Sequence, residues 1–169
     1  LLHKAQVEGQ ATTSLMSDAV NKALAKLLIP KPMRWGANKT QFIRPVHTAT
    51  ILFGSTLIEG EILGKQVGNQ LQGHRFHHPE KVTINHADDV FDVLKSAYVV
   101  ADFEARKAQI REQIEAAASA VNAKVAMDQD LLEEVTSLVE WPVTLTATFE
   151  EAFLDVPSEA LIYTMKDDQ

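Results

Sequence analysis

Residues 98–127 read "YVVADFEARKAQIREQIEAAASAVNAKVAM", and the fold class turns on them. Tyr98–Asp102 is a short apolar run with the composition of a buried strand. Phe103, Ile110, Ile114, Ala117 and Val121 then recur at the spacing of one helix face. Glu104, Arg106, Lys107, Arg111, Glu112 and Glu115 fill the opposite face, the pattern of a solvated surface with weak ion pairs. Residues 124–127 alternate as a second strand. Strand, helix and strand in this order predict a right-handed βαβ crossover with parallel strands. The expected fold class is mixed α/β of the α+β kind, with a mixed sheet, one βαβ crossover, packed helices and an N-terminal helical arm.

Toward the C-terminus, Asp130 and Glu133 have the spacing of a capping box. The helix they would open carries Leu131, Leu132, Val135, Leu138 and Val139 on its apolar side. Pro142 closes it, residues 143–149 ("VTLTATF") read as a strand, and Pro157 falls early in a final helix. Toward the N-terminus, residues 81–85 alternate as a strand and residues 87–96 predict a short helix. The runs 46–53 and 56–63 read as two strands joined by a tight hairpin at Gly54-Ser55. Residues 33–45, "MRWGANKTQFIRP", show neither period and are expected to form an ordered loop. Leu15 to Leu28 have helical spacing, with Thr13 or Ser14 as the cap and Pro30 and Pro32 as the stop. The expected domains are a helical arm over residues 1–32 and a mixed α/β domain over 33–169.

The 169 residues suffice for one domain, and 46% hydrophobic with 23% charged residues is ordinary globular composition. The absence of cysteine excludes thiol catalysis, zinc–thiolate sites and disulfide scaffolds. No apolar run reaches the roughly 18–20 residues needed to span a bilayer. A net charge of −7 argues against a free-standing nucleic-acid binder and restricts any RNA contact to a local patch. The chain opens on Leu1 and closes inside a helical pattern, so it is expected to be a piece of a longer polypeptide.

Two stretches are candidates for chemistry. Residues 73–78, "GHRFHH", hold three of the six histidines. His77 and His78 are adjacent and would point to opposite faces of a strand, so no metal site is assigned. Gly73 is expected to permit a turn, through a positive φ or a close backbone approach. His74 and His77 are either turn anchors or polar groups at a pocket mouth. The second stretch is the loop bearing Arg34, Lys39 and Arg44 beside Trp35 and Phe42. Basic and aromatic residues together suit phosphates and bases, but such aromatics also serve as core anchors beneath solvated charges. Trp35, Phe42, Trp141 and Phe153 are all expected to be buried. No phosphate loop, dinucleotide fingerprint or serine-hydrolase elbow is present, and no catalytic residue is assigned.

Six stretches stand in order at natural spacing: "KPMRWG" (31–36), "FIRPVH" (42–47), "GHRF" (73–76), "VVADFEARKAQI" (99–110), "LLEEVTSLVEWPV" (131–143) and "FLDVPSEALIYTMK" (153–166). Together they resemble the β subunit of the bacterial tetrameric glycyl-tRNA synthetase, over nearly the whole chain from about residue 10. The resemblance implies a cytoplasmic α₂β₂ ligase that uses ATP with magnesium to join glycine to tRNA(Gly). Its adenylate site belongs to the α subunit, and the long β subunit helps hold the tRNA. The partners it implies are the α subunit, a second β subunit and tRNA(Gly). No cofactor is expected in this piece, which would be non-catalytic, with Arg34, Lys39, Arg44 and Arg75 as the RNA-facing residues. By analogy the region is similar to the editing-type domain of the phenylalanyl-tRNA synthetase β subunit. An editing-like hydrolytic pocket around His74, Arg75 and His77 is one alternative, although glycine leaves such a pocket little to sort by size. A purely architectural domain is another. Thr48 stands where the family usually has tryptophan, and Asp168 where a His-Gln pair usually begins.

Overall fold

A computed structural model of the chain describes residues 8–166. The chain divides into two compact units, Leu1–Val99 and Val100–Gln169.

The first unit opens with helix α1, Thr12–Ala25. Its cap position is Ala11, which offers no side-chain bond. The expected cap Ser14 instead donates its hydroxyl to the Ala11 carbonyl at 2.7 Å. Met16, Val20 and Leu24, each four residues apart, pack on the buried cluster of Ile51, Ile58 and Ile62. The helix therefore packs on the core of this unit. Gly60 lets it come that close, because a Cβ there would overlap the Ser17 hydroxyl and lie 2.9 Å from the Ser17 Cβ. Asn21 Nδ2 also donates to the Glu61 carbonyl at 2.9 Å.

Among the described residues, eight short strands follow as four antiparallel pairs. Strands β1 (Met33–Arg34) and β2 (Gln41–Phe42) pair with Met33 opposite Phe42, so the expected ordered loop includes a small hairpin. Strands β3 (Leu52–Phe53) and β4 (Thr56–Leu57) turn at Gly54-Ser55, as expected. Strands β5 (Glu61–Ile62) and β6 (Lys65–Gln66) are joined by Leu63 and Gly64, both at positive φ, as a tight primed turn requires. Strand β7 (Gln70–Gln72) pairs with β8 (Lys81–Thr83). One isolated parallel bridge joins Ala49 to Val67. Ile84, fully buried, follows β8, and a 3₁₀ turn at Ala87–Asp89 leads into helix α2, Val90–Ser96.

The second unit is built on helix α3, Phe103–Ala120, and helix α4, Gln129–Leu138. Asp102 caps α3 by accepting the Ala105 N–H at 2.7 Å. The cap of α4 is Asp128, which accepts from Asp130 and Leu131, so the expected Asp130–Glu133 box does not form. Glu133 instead pairs with Lys107 across the two helices. Ile110 and Leu132 are buried between them.

The βαβ crossover is corrected, as is the mixed sheet built on it. Among the described residues, neither 98–102 nor 124–127 is a strand, and 143–149 is not one either. Side chains of α3 take the hydrogen bonds that a ladder would have made. Arg106 donates through Nε to the Thr136 carbonyl at 2.9 Å and through Nη1 to the Val100 carbonyl. Gln113 donates to the Pro142 carbonyl at 3.1 Å and accepts the Thr144 N–H at 2.8 Å. The backbone at these residues is served by side chains and by one backbone bond, from the Val100 N–H to the Glu140 carbonyl at 2.9 Å. Farther on, Leu145 is 86% exposed. A 3₁₀ turn, Glu151–Asp155, and helix α5, Ser158–Lys166, complete the described chain. Trp35, Phe42 and Trp141 are half-buried, whereas Phe153 is 54% exposed rather than buried as expected. The architecture is α+β, with helices and small antiparallel sheets. No helix among the described residues is long and apolar enough to cross a membrane.

Gln113→Ala should destabilise the second unit by about 1–3 kcal/mol, because it leaves two backbone groups without their partner. Gln113→Glu, which keeps the acceptor and loses the donor, should fall between. Urea denaturation of the three proteins measures the order.

Candidate nucleic-acid interface

The histidine-rich turn is held from inside. Gly73 is buried against the turn that it opens: a Cβ there would lie 2.7 Å from the His78 carbonyl oxygen and 3.1 Å from the Ala97 Cβ. Close approach, not positive φ, is the reason for glycine. The His74 N–H donates to the Ala97 carbonyl and the His78 N–H to the His74 carbonyl, both at 2.9 Å. His74 Nδ1 accepts the N–H groups of Phe76 and His77, each at 3.2 Å. It therefore caps the turn as an Asx side chain would, in the tautomer that carries its proton on Nε2. His86 repeats the device by accepting the Asp88 N–H at 3.2 Å. The His77 ring lies between those of His74 and Tyr98, with centroids 4.5 and 5.3 Å away. Among the described residues, no three His, Asp or Glu side chains are grouped to hold a metal ion.

Arg75 leaves this turn on the solvent side. It lines a cavity of about 490 Å³ with His47, Thr48, Gln72, Pro79 and Lys81. A neighbouring cavity of about 310 Å³ shares His47, Thr48 and Lys81, and adds Lys65 with the amide side chains of Gln66, Asn69 and Gln70. Pairing of β7 with β8 and the Ala49–Val67 bridge bring these separate stretches together. No Asp or Glu among the described residues lines either cavity. Of the neighbouring acids, Glu80 lies 4.0 Å from His78 Nδ1, and Glu61 accepts from Nε2 of the lining residue Gln66 at 3.2 Å. Thr48, where the sequence departs from its family resemblance, lies on the shared rim.

Of the four expected RNA-facing residues, only Arg75 lines these cavities. Arg34 lies on β1, Lys39 in the turn that follows, and Arg44 just beyond β2, all exposed. None of the four forms an ion pair among the described residues. Arg44 reaches only the Ile43 carbonyl, at 3.3 Å. His74 and His77 stand outside the cavity lining. Lys65, Lys81 and His47 were not singled out by sequence, because only pairing between distant segments gathers them. The departure at Asp168 lies outside the described residues.

Over residues 1–169 the chain matches the family model of the glycyl-tRNA synthetase beta subunit. It is 82% identical over 169 residues to the glycine–tRNA ligase beta subunit of Pseudoalteromonas translucida (strain TAC 125), a match that covers 100% of this chain and 24% of the relative. Identity is 58% over 170 residues to the same subunit of Shewanella woodyi and 57% over 169 residues to that of Colwellia psychrerythraea, each covering 100% of this chain and 25% of the relative. The chain thus spans about a quarter of the length of the curated relatives it matches.

Gly73→Ala should destabilise the first unit by about 1–3 kcal/mol, since the backbone at His78 must move to admit the methyl group. His74→Ala should cost about 1 kcal/mol, the usual loss for a removed cap. Thermal unfolding measures both, and His74→Asn, which restores a short acceptor, should recover part of the loss.

Proposed function

The chain belongs to the glycyl-tRNA synthetase beta subunit family, and from that premise we propose that it is a non-catalytic module that helps to position tRNA(Gly). In this reading the full ligase contains the α subunit and a second β subunit. It consumes ATP with magnesium at a site outside this chain and works in the cytoplasm. The observation that carries the proposal is the state of Arg34, Lys39, Arg44 and Arg75. All four are exposed and free of carboxylate partners among the described residues, in a chain of net charge −7. Exposed cations left unpaired in an acidic protein suit a polyanion, and the planar fork of arginine suits phosphate oxygens. The acid-free cavity beside Arg75 extends the same surface chemistry.

A hydrolytic, editing-like reading around His74, Arg75 and His77 has less support. His74 already commits Nδ1, the nitrogen free of a proton, to two backbone N–H groups, so it is poorly placed as a general base.

In the intact ligase, Arg34→Ala combined with Arg44→Ala should raise the KM for tRNA about tenfold, equivalent to ~1.4 kcal/mol. Glycine-dependent pyrophosphate exchange should stay at the wild-type rate. Unchanged tRNA kinetics in a folded double variant would exclude the positioning role for these arginines.

A further inference from the structure

We propose that the two cavities sharing His47, Thr48 and Lys81 form one subsite for a phosphate and the unpaired nucleotide attached to it. The inference rests on the tRNA-positioning role and names the part of the RNA that this surface would take.

The wider cavity has the donors for a phosphate. Arg75 enters from the turn, Lys81 from β8, and His47 and Thr48 from the segment before β3. A guanidinium, an ammonium and a hydroxyl converging on one hollow, with no carboxylate on its lining, match the tetrahedral oxygens of a phosphodiester. The narrower cavity differs in kind. Beside Lys65 its lining includes Asn69 and Gln70, whose amides each carry both donor and acceptor, and Gln66, whose amide already donates to Glu61. Such a lining reads the edge of a base. His47 brings an imidazole ring to both linings, and among the described residues no Phe, Tyr or Trp joins it, so recognition runs chiefly through edges and phosphate. At about 310 Å³ the hollow has the size of a small-ligand pocket. A base already paired in a duplex has its Watson–Crick edge occupied, which leaves an unpaired nucleotide as the fitting occupant.

Local hydrogen bonds hold the walls before any ligand arrives. Thr50 Oγ1 donates to the Gly68 carbonyl at 2.7 Å, the Gly68 N–H to the Ala49 carbonyl at 2.9 Å, and Gln72 Nε2 to the Pro79 carbonyl at 2.6 Å. A preformed site loses less ordering entropy on binding.

The test uses the intact ligase, with the double variant Arg34→Ala/Arg44→Ala in parallel. Gln70→Glu sets a carboxylate in the narrower hollow at nearly unchanged volume, and it should weaken equilibrium tRNA binding about tenfold or more. Lys81→Gln should reduce the slope of log K against log salt by about 1, as loss of one phosphate contact does. Phosphate-ethylation interference should identify a phosphate beside an unpaired nucleotide whose modification blocks wild-type binding and has no effect with Lys81→Gln. Wild-type tRNA affinity in a folded Gln70→Glu protein would overturn the subsite, as would interference confined to duplex phosphates. If Gln70→Glu lowers the melting temperature, Lys81→Gln with the interference map decides alone. If the arginine pair weakens binding and neither Gln70→Glu nor Lys81→Gln alters it, the subsite falls and the wider tRNA-facing role stands. If nothing alters it, both fall.

Discussion

Gln113 holds the backbone at Pro142 and Thr144 as a neighbouring strand would, with one donated and one accepted bond. The constraint behind it governs both units. Backbone N–H and C=O groups removed from water require partners. Strands of two or three residues supply few of them. Side chains make up the difference: Arg106 at the end of α4 and the start of α3, His74 in the turn, Asn21 on β5, and Thr50 on the segment at Gly68. The conspicuous motifs of the chain are largely these substitutes for a sheet. Their histidines and arginines look like chemistry because polar side chains that bond to backbone are the same types that bind ligands.

That economy leaves a clear contrast within one turn. Gly73 and His74 face inward and are fully occupied by packing and backbone bonds. Arg75, the next residue, carries no such duty and opens onto a cavity. Neighbours in sequence are thus divided between structure and surface by the geometry of a tight turn. His47 is far in sequence from both Arg75 and Lys81, yet all three line the same hollow because short hairpins reverse the chain repeatedly.

Charge is distributed to the same effect. Several acids are engaged where a negative group is stabilising. Asp102 and Asp128 cap helices, where N-terminal N–H groups and the helix dipole favour carboxylates. Glu133 pairs with Lys107, and Asp18 accepts a hydrogen bond from Lys22 at 2.7 Å, which holds the lysine pKa above its ordinary value. The cations of the first unit's cavities have no such partners among the described residues. A net charge of −7 therefore coexists with a locally cationic hollow, and total charge is a poor guide to what one face can bind.

The helices were legible in the sequence because their signal is local. The stripe from Phe103 to Val121 and the alternation of charge around it need only the 3.6-residue period, and α3 follows it closely. The hairpin at Gly54-Ser55 was equally local. The crossover was not. An apolar run such as 98–102 states that a segment is extended or buried, but whether a strand pairs with it depends on what the fold brings alongside. Here Arg106 and the Glu140 carbonyl, which accepts the Val100 N–H at 2.9 Å, came first. The same limit applied to the site. Arg75 was visible within a distinctive turn, whereas Lys65, Lys81 and His47 gained meaning only when register and turns placed them on one rim. Local propensity determined which segments coil and where the chain reverses. Tertiary structure decided which backbone groups pair and which cations converge, because those interactions join residues whose separation along the chain carries no information about their separation in space.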